Sequence, residues 1–289
     1  MTVRDRDPLT GHHTTGHEWN GITELNTRVP LAIWWFILVT HVYALIVWVL
    51  LPAWPGVTGY TKGILGIDQR SQVEERVAEM REARAPWRAR MVALTVDQIR
   101  ADPALSAIVA ETGPALFGDN CAACHGARGQ GGPGYPSLVD DAWLWGGDPE
   151  TIQETLRVGI NADHPDTRFA QMLAFDGVLS RDEIRTVANY VQSLSGMESD
   201  SDPDRLSEGR TLFEDNCTSC HGENATGSTD MGAPNLTDGF WIYGGDDKTL
   251  FATILHGRQG WMPAWEDRLD DADRKVLTVY LQDLKEEAR

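Results

Sequence analysis

The chain has 289 residues, enough for two small domains with an appendage. Its 25 Lys and Arg stand against 43 Asp and Glu, a formal net charge of −18. That balance argues against a nucleic-acid partner, whose phosphates call for a basic face. It favours a partner with a basic surface, although an acidic exterior also serves simply to keep a domain soluble.

Residues 1–28 are rich in turn formers and polar side chains with little periodicity, which predicts a loosely ordered tail. His12, His13 and His17 fall in it without the carboxylate or Cys framework of a metal site. Residues 29–51 contain no Asp, Glu, Lys or Arg. About twenty helical residues rise about 30 Å, the thickness of a bilayer's hydrocarbon. Trp34, Trp35, Trp48 and Trp54 lie toward the two ends, as interfacial aromatics do. The run is too long for a signal peptide and lacks a small-residue cleavage site. Residues 29–54 are therefore predicted to be a retained single-span anchor. His41, with Tyr43 two residues on, falls in mid-span, where a polar side chain meets a partner or is satisfied by its own surroundings.

Residues 52–66 are Gly- and Pro-rich and end the span. Residues 68–85 read as a charged helix halted by Pro86, part of a connecting stretch, 52–110, whose charges read as a solvated face. Thr95 and Gln98 have the spacing of a capping box ahead of Asp102-Pro103. Residues 55–110 are predicted to connect the span to the C-terminal part of the chain.

The remainder is an internal duplication. Leu116-Phe-Gly-Asp-Asn120 is answered by Leu212-Phe-Glu-Asp-Asn216, and Trp143-Leu-Trp-Gly-Gly-Asp148 by Trp241-Ile-Tyr-Gly-Gly-Asp246. Tyr190-Val-Gln192 is answered by Tyr280-Leu-Gln282. Each repeat reads as helix, Cys motif, Gly-rich loop, short helix, loop and final helix, over 111–197 and 204–289. The acidic, turn-rich stretch 196–203 marks the boundary.

The Cys motifs are Cys121-Ala-Ala-Cys124-His125 and Cys217-Thr-Ser-Cys220-His221. C-x-x-C-H is the attachment pattern of a c-type haem. Two Cys three apart share one face of a helical turn, where both thiols can form thioethers with the porphyrin vinyl groups. The adjacent His125 or His221 then reaches the iron. The motifs use all four Cys, and neither has the further ligand pairs of a zinc site or the preceding strand of a thioredoxin-like site. Two covalently bound haem c groups are expected. Maturation of such haems places the C-terminal bulk outside the bacterial cytoplasm or its organellar equivalent, with the N-terminus cytoplasmic.

Each iron then needs a sixth ligand. Met172 and Met262 fall at equivalent places when Leu179 is aligned with Leu269, and a thioether raises the potential in a way that suits electron transfer. His164 and His256 are the alternatives, at non-equivalent positions; Met197 and Met231 rank lower, in linker and loop. The carbonyls of Pro136 and Pro234, after the Gly-rich loops, are candidates to accept the other ring N–H of His125 and His221. Trp143, Trp241, Trp261 and Trp265 are candidates to wall the haems, with simple core packing the safer reading of their role. No acid–base pair stands beside an open iron position, so oxygen or peroxide chemistry on these haems is not indicated.

These residues resemble class I cytochrome c domains in tandem, over about 113–285. The whole layout, with its tail, single span carrying His41-x-Tyr43, connector and two domains with Trp-x-x-Gly-Gly, resembles the CcoP (FixP) subunit family of cbb3-type cytochrome c oxidases. The resemblance implies a mainly α protein: a single N-terminal transmembrane helix followed by two class I cytochrome c domains. It further implies a dihaem subunit in a bacterial inner membrane, haem domains periplasmic. That subunit takes electrons from the bc1 complex through a donor cytochrome c. It passes them toward the monohaem subunit and the haem–copper catalytic subunit, which reduces oxygen and pumps protons. The axial pairs it implies are His125 with Met172 and His221 with Met262. A free-standing anchored carrier for another dehydrogenase or reductase is the alternative, and the span and connector favour a fixed membrane partner over it. A dihaem peroxidase would need one iron without a stable sixth ligand, against which the two matched Met argue.

Overall fold

The computed structural model describes residues 6–197 and 202–289; the start of the N-terminal tail and the middle of the predicted boundary stretch 196–203 lie outside them. The elements in order are strands β1 (Thr14–Trp19) and β2 (Ile22–Leu25), then helices α1 (Leu31–Leu50), α2 (Gln69–Ala93), α3 (Val96–Ala101), α4 (Pro103–Asn120), α5 (Ala122–His125), α6 (Pro149–Val158), α7 (Arg181–Leu194), α8 (Pro203–Asn216), α9 (Thr218–His221), α10 (Asp247–His256) and α11 (Asp271–Glu287). The chain divides into two compact units, 1–83 and 84–289.

In the first unit the tail is not featureless. β1 and β2 form an antiparallel hairpin, with Trp19 opposite Ile22. Its turn is Asn20-Gly21, with φ of +48° and +85°, the pair of left-handed residues that a tight hairpin turn requires. α1 is an uninterrupted apolar helix of 20 residues with no buried residue, long and apolar enough to cross a membrane. Within it, His41 Nδ1 lies 2.7 Å from the carbonyl of Ile37, so that nitrogen is satisfied inside the helix itself.

The connector differs from its prediction. α2 runs through Pro86 to Ala93 instead of stopping at it. Its last turns are buried: Met91 packs with Val96, Ile99, Leu105 and Val109 against Ala272, Val276 and Val279 of α11. The charges here are paired and not merely solvated. Arg88 bonds Asp270 and Asp273, and Arg100 bonds Asp283 and Glu286. Lys275 donates to the carbonyl of Leu94 at 3.1 Å. The capping box forms as its spacing predicts, Thr95 accepting from Gln98 N and Gln98 returning a bond to Thr95 N.

The helices of the repeats start where the sequence puts side-chain caps. Asp102 accepts from Ala104 N and Leu105 N, Asp148 from Thr151 N, and Asp246 from Thr249 N. Ser180 and Glu183 close a second capping box at α7.

The repeats are not self-contained in their packing. α7, the final helix of the first repeat, contributes Ile184, Val187, Ala188 and Val191 to a core completed by Phe213, Leu250, Ile254 and Leu255 of the second. α11, the final helix of the second repeat, places Leu277 and Leu281 in a core with Phe117, Ile152 and Leu156 of the first. The final helices are exchanged, in the manner of a domain swap within one chain. Gln192 donates to the carbonyl of Gly245, and its counterpart Gln282 to that of Gly147.

Candidate haem sites

Each Cys motif begins where a long helix tightens. Cys121 N bonds Phe117 O at 2.8 Å, and the single-turn helix α5 then carries Cys124 and His125 around to Gly126. Cys217, Cys220 and His221 repeat this on α8 and α9, ending at Gly222. Gly126 and Gly222 stand at φ of +79° and +77°, left-handed positions that turn the chain away from the motif.

The Gly-rich loop then returns to the histidine. His125 Nδ1 lies 2.9 Å from Pro136 O, and His221 Nδ1 lies 3.0 Å from Pro234 O. Gly131 and Gly227 make the return possible. Both have positive φ, and a Cβ on either would fall 2.5–2.6 Å from backbone of the same loop. Burial pushes both imidazoles below the ordinary His value of 6.5, and the proline carbonyls only partly oppose it. The rings are therefore neutral, with Nδ1–H donated to the carbonyl and the Nε2 lone pair left for a metal. Burial, with the neighbouring Cys second, pushes the Cys121 and Cys217 thiols up to about 11.

The methionines lie across the repeat boundary. Met172 packs in the core that holds Phe213, Cys217, Leu236 and Trp241, all from the second repeat. Met262 packs in the core that holds Phe117, Cys121, Leu138 and Trp143, all from the first. The pairing expected from the resemblance, His125 with Met172 and His221 with Met262, does not match this arrangement. The physical reason is the exchanged segment. Met172 N donates to Arg258 O at 2.8 Å and Arg258 N to Met172 O at 3.0 Å, while Ile160 and Met262 exchange two bonds of 2.9 Å. The two Met-bearing segments thus cross as short antiparallel pairs, and each continues into the other repeat's core.

The alternative ligands lie differently. His164 is engaged at both ring nitrogens: Nε2 is 2.8 Å from Glu266 Oε2, and Nδ1 accepts from Asp166 N at 3.0 Å. His256 is exposed at the end of α10. Among the described residues no cluster of three or more His, Cys, Asp or Glu could hold a free metal ion.

The sequence similarities accord with this geometry. Residues 110–195 match the cytochrome c family, residues 204–281 the family of cytochrome c oxidase, cbb3-type, subunit III, and residues 11–58 the N-terminal domain of the cbb3 oxidase protein FixP. The chain is 47% identical over 282 residues to the cbb3-type cytochrome c oxidase subunit FixP of Bradyrhizobium sp. (strain ORS 278), covering 96% of each chain. It is 45% identical to subunit CcoP of Azospirillum brasilense, over 98% of this chain and 99% of that one. It is 43% identical to subunit CcoP of Cereibacter sphaeroides, over 94% of each. The chain belongs to the FixP/CcoP family.

As a member of that family it is a cytochrome c subunit of a cbb3-type oxidase, with α1 as its membrane-anchoring helix and covalently bound haem c as its prosthetic group. The residues around the two motifs fit that group. Among the described residues, Trp143 Nε1, Trp145 Nε1, Trp241 Nε1 and Arg168 Nε are buried donors without a partner. Each such donor costs about 1–3 kcal/mol, so a cluster of them in the two Trp-x-x-Gly-Gly loops calls for acceptor oxygens, as on the propionates of a haem. Arg168 lies over the Trp145 ring at 5.0 Å, and Arg258 over Tyr243 at 4.4 Å. Sequence reasoning passed over Trp145, Arg168 and Arg258. The pairing of Trp145 with Tyr243 across the repeats was one available signal, and the arginines were another, since Arg168 and Arg258 each stand four residues before their methionine.

Proposed function

We propose that this FixP/CcoP-family subunit carries two haem c groups, at Cys121 and Cys124 and at Cys217 and Cys220, with crossed axial pairs: His125 with Met262 and His221 with Met172. The observation that carries the reading is the pair of neutral imidazoles, each tied at Nδ1 to a proline carbonyl, in motifs whose first Cys shares a core with the other repeat's methionine: Cys121 with Met262, and Cys217 with Met172. When bound, each haem supplies a one-electron iron(II)/iron(III) couple. The chain holds the imidazole in one tautomer, offers a thioether that favours iron(II), and excludes water from the histidine side by burial. Trp143, Trp145, Arg168 and Trp241 would receive propionate oxygens.

In this reading electrons enter from a donor cytochrome c supplied by the bc1 complex, drawn by the acidic surface. They leave toward a monohaem cytochrome c subunit and a haem–copper catalytic subunit that reduces oxygen and pumps protons. The protein is a single-pass component of a bacterial inner membrane, with a cytoplasmic N-terminus and periplasmic haem domains. Mild affinity purification from membranes tests this. Co-purifying b-type haem and copper, with cyanide-sensitive oxygen uptake on a reduced cytochrome c, are expected. Isolation with c-type haem alone, no uptake and no large partner would overturn the assignment of partners.

A further inference from the structure

The two repeats differ in length between the short helix and the methionine. Gly159-Ile160-Asn161 answers Gly257-Arg258-Gln259, but eight residues, 162–169, are then inserted in the first repeat before its Met segment. Asn161 stands just ahead of that insertion. Its backbone stands at φ +50°, the left-handed region that Asn tolerates better than most residues.

From there its carboxamide spans two segments of chain. Nδ2 donates to Ala170 O at 2.8 Å and to Gly260 O at 2.7 Å, and Oδ1 accepts from Ala170 N at 3.2 Å. Both amide protons are in use. Reversing the group would set an oxygen against two carbonyls and an NH2 against an N–H, so this orientation is determined. Ala170 stands two residues before Met172, and Gly260 two residues before Met262. One side chain therefore grips the approach to both methionines. The bonds between Ile160 and Met262 and between Met172 and Arg258 flank it on either side. Gln259, at the answering position, is exposed.

We propose that Asn161 is a positioning residue for both sixth ligands, a single clamp that sets the methionine of each haem and couples the two. The proposal rests on the methionine ligation argued above. Each hydrogen bond from Nδ2 is of the size that shifts a ligand-on, ligand-off equilibrium about fivefold. Its loss is felt on both segments at once, because both carbonyls lose the same donor.

The test uses the full-length, haem-loaded protein with Asn161→Gly and Asn161→Asp. Glycine keeps the positive φ and removes the side chain. Aspartate keeps the acceptor for Ala170 N and removes both donations. The readouts are haem content, the long-wavelength methionine-to-iron charge-transfer band, and potentiometric titration of the two haems. Both variants are expected to load two haems and to weaken the band at both, about fivefold in the methionine-on ratio. Both potentials are expected to fall together. An unchanged band with wild-type potentials, or a response confined to one haem, overturns the clamp. Loss of haem loading in both variants also overturns it, since a clamp on the Met segments leaves the Cys and His attachment intact. A wild-type protein without the charge-transfer band would remove the ligand reading itself, and with it this proposal.

Discussion

The ring of Tyr280, in the last helix of the chain, lies 5.8 Å from that of Phe117, in the helix that leads into the first Cys motif. Its counterpart contact, Tyr190 with Phe213 at 5.7 Å, joins the first repeat's final helix to the second motif's leading helix. The helix that leads into each Cys motif is thus covered by a helix from the other repeat, and the methionine that precedes each covering helix travels with it.

Crossed ligation makes a prediction that distinguishes it from ligation within each repeat. A Cys217→Ser, Cys220→Ser chain carries only the first haem. In it Met262→Ala is expected to abolish the methionine-to-iron band and lower the potential, whereas Met172→Ala leaves both unchanged. The opposite pattern would restore the contiguous pairs.

The exchange was not legible in the sequence, for a physical reason. Phe117 and Phe213 are equivalent, as are Tyr190 and Tyr280, so either tyrosine suits either phenylalanine and no pattern tells a contact within a repeat from one across. What the sequence does carry is local. Asp102, Asp148, Ser180 and Asp246 start their helices through bonds to backbone two or three residues away, and the Cys motifs set thiols and imidazole on one turn. The hairpin was legible in Asn20-Gly21 but hidden by polar surroundings. α2 outlasts Pro86 because tertiary burial of Met91 and the Arg88 pairs outweigh the cost of a proline in a helix. Asn161 is silent in sequence because its role depends on a chain crossing far from it.

Close approach of the helices predicts a steric signature at two glycines. A Cβ on Gly113 would lie 2.8 Å from the Tyr280 ring, and one on Gly209 would lie 2.6 Å from Thr186 O. Gly113→Ala is expected to cost about 1–3 kcal/mol through overpacking, read as a lower urea midpoint of the haem-loaded protein. Gly209→Ala is expected to cost more, because backbone cannot yield as a side chain can. Equal stability of Gly209→Ala and wild type would contradict the contact.

Gly227 offers a route to the proline carbonyl, which no side-chain substitution can remove. A Cβ there would meet Ala233 O at 2.5 Å and Asn235 N at 2.7 Å, at a φ of +77°. Gly227→Ala should displace Pro234 O from His221 Nδ1 and make the imidazole less basic. A less basic ligand favours iron(II), so the second haem's potential is expected to rise while the first haem's stays in place. Potentiometry of the variant checks this, and a fall at the second haem would show that the bond acts otherwise.

The Arg88 cluster predicts how the seating of α2 on α11 depends on pH. Arg88 Nη1 lies 2.9 Å from Asp273, both side chains about one-fifth exposed, and Arg88 also bonds Asp270. Burial alone would raise the Asp270 carboxyl, but the Arg88 hydrogen bond and charge, together with the backbone N–H bonds from Asp273 and Ala272, outweigh it and hold the group below its ordinary 3.8. A depressed carboxyl contributes stability above its unfolded value and loses it as pH falls through the folded one. Asp283, raised by burial against the pull of Arg100, changes in the opposite sense on protonation and offsets part of the loss. Arg88→Met is expected to lower stability by about 1–2 kcal/mol at neutral pH, since it leaves Asp273 half-buried without its donor. The gap between variant and wild type should hold down to about pH 4 and close below it, as Asp270 protonates in both. Urea midpoints across that range measure the gap. A gap independent of pH would mean that Arg88 acts through packing, its guanidinium lying over the Trp87 ring at 5.4 Å, and not through its pairs with the carboxylates.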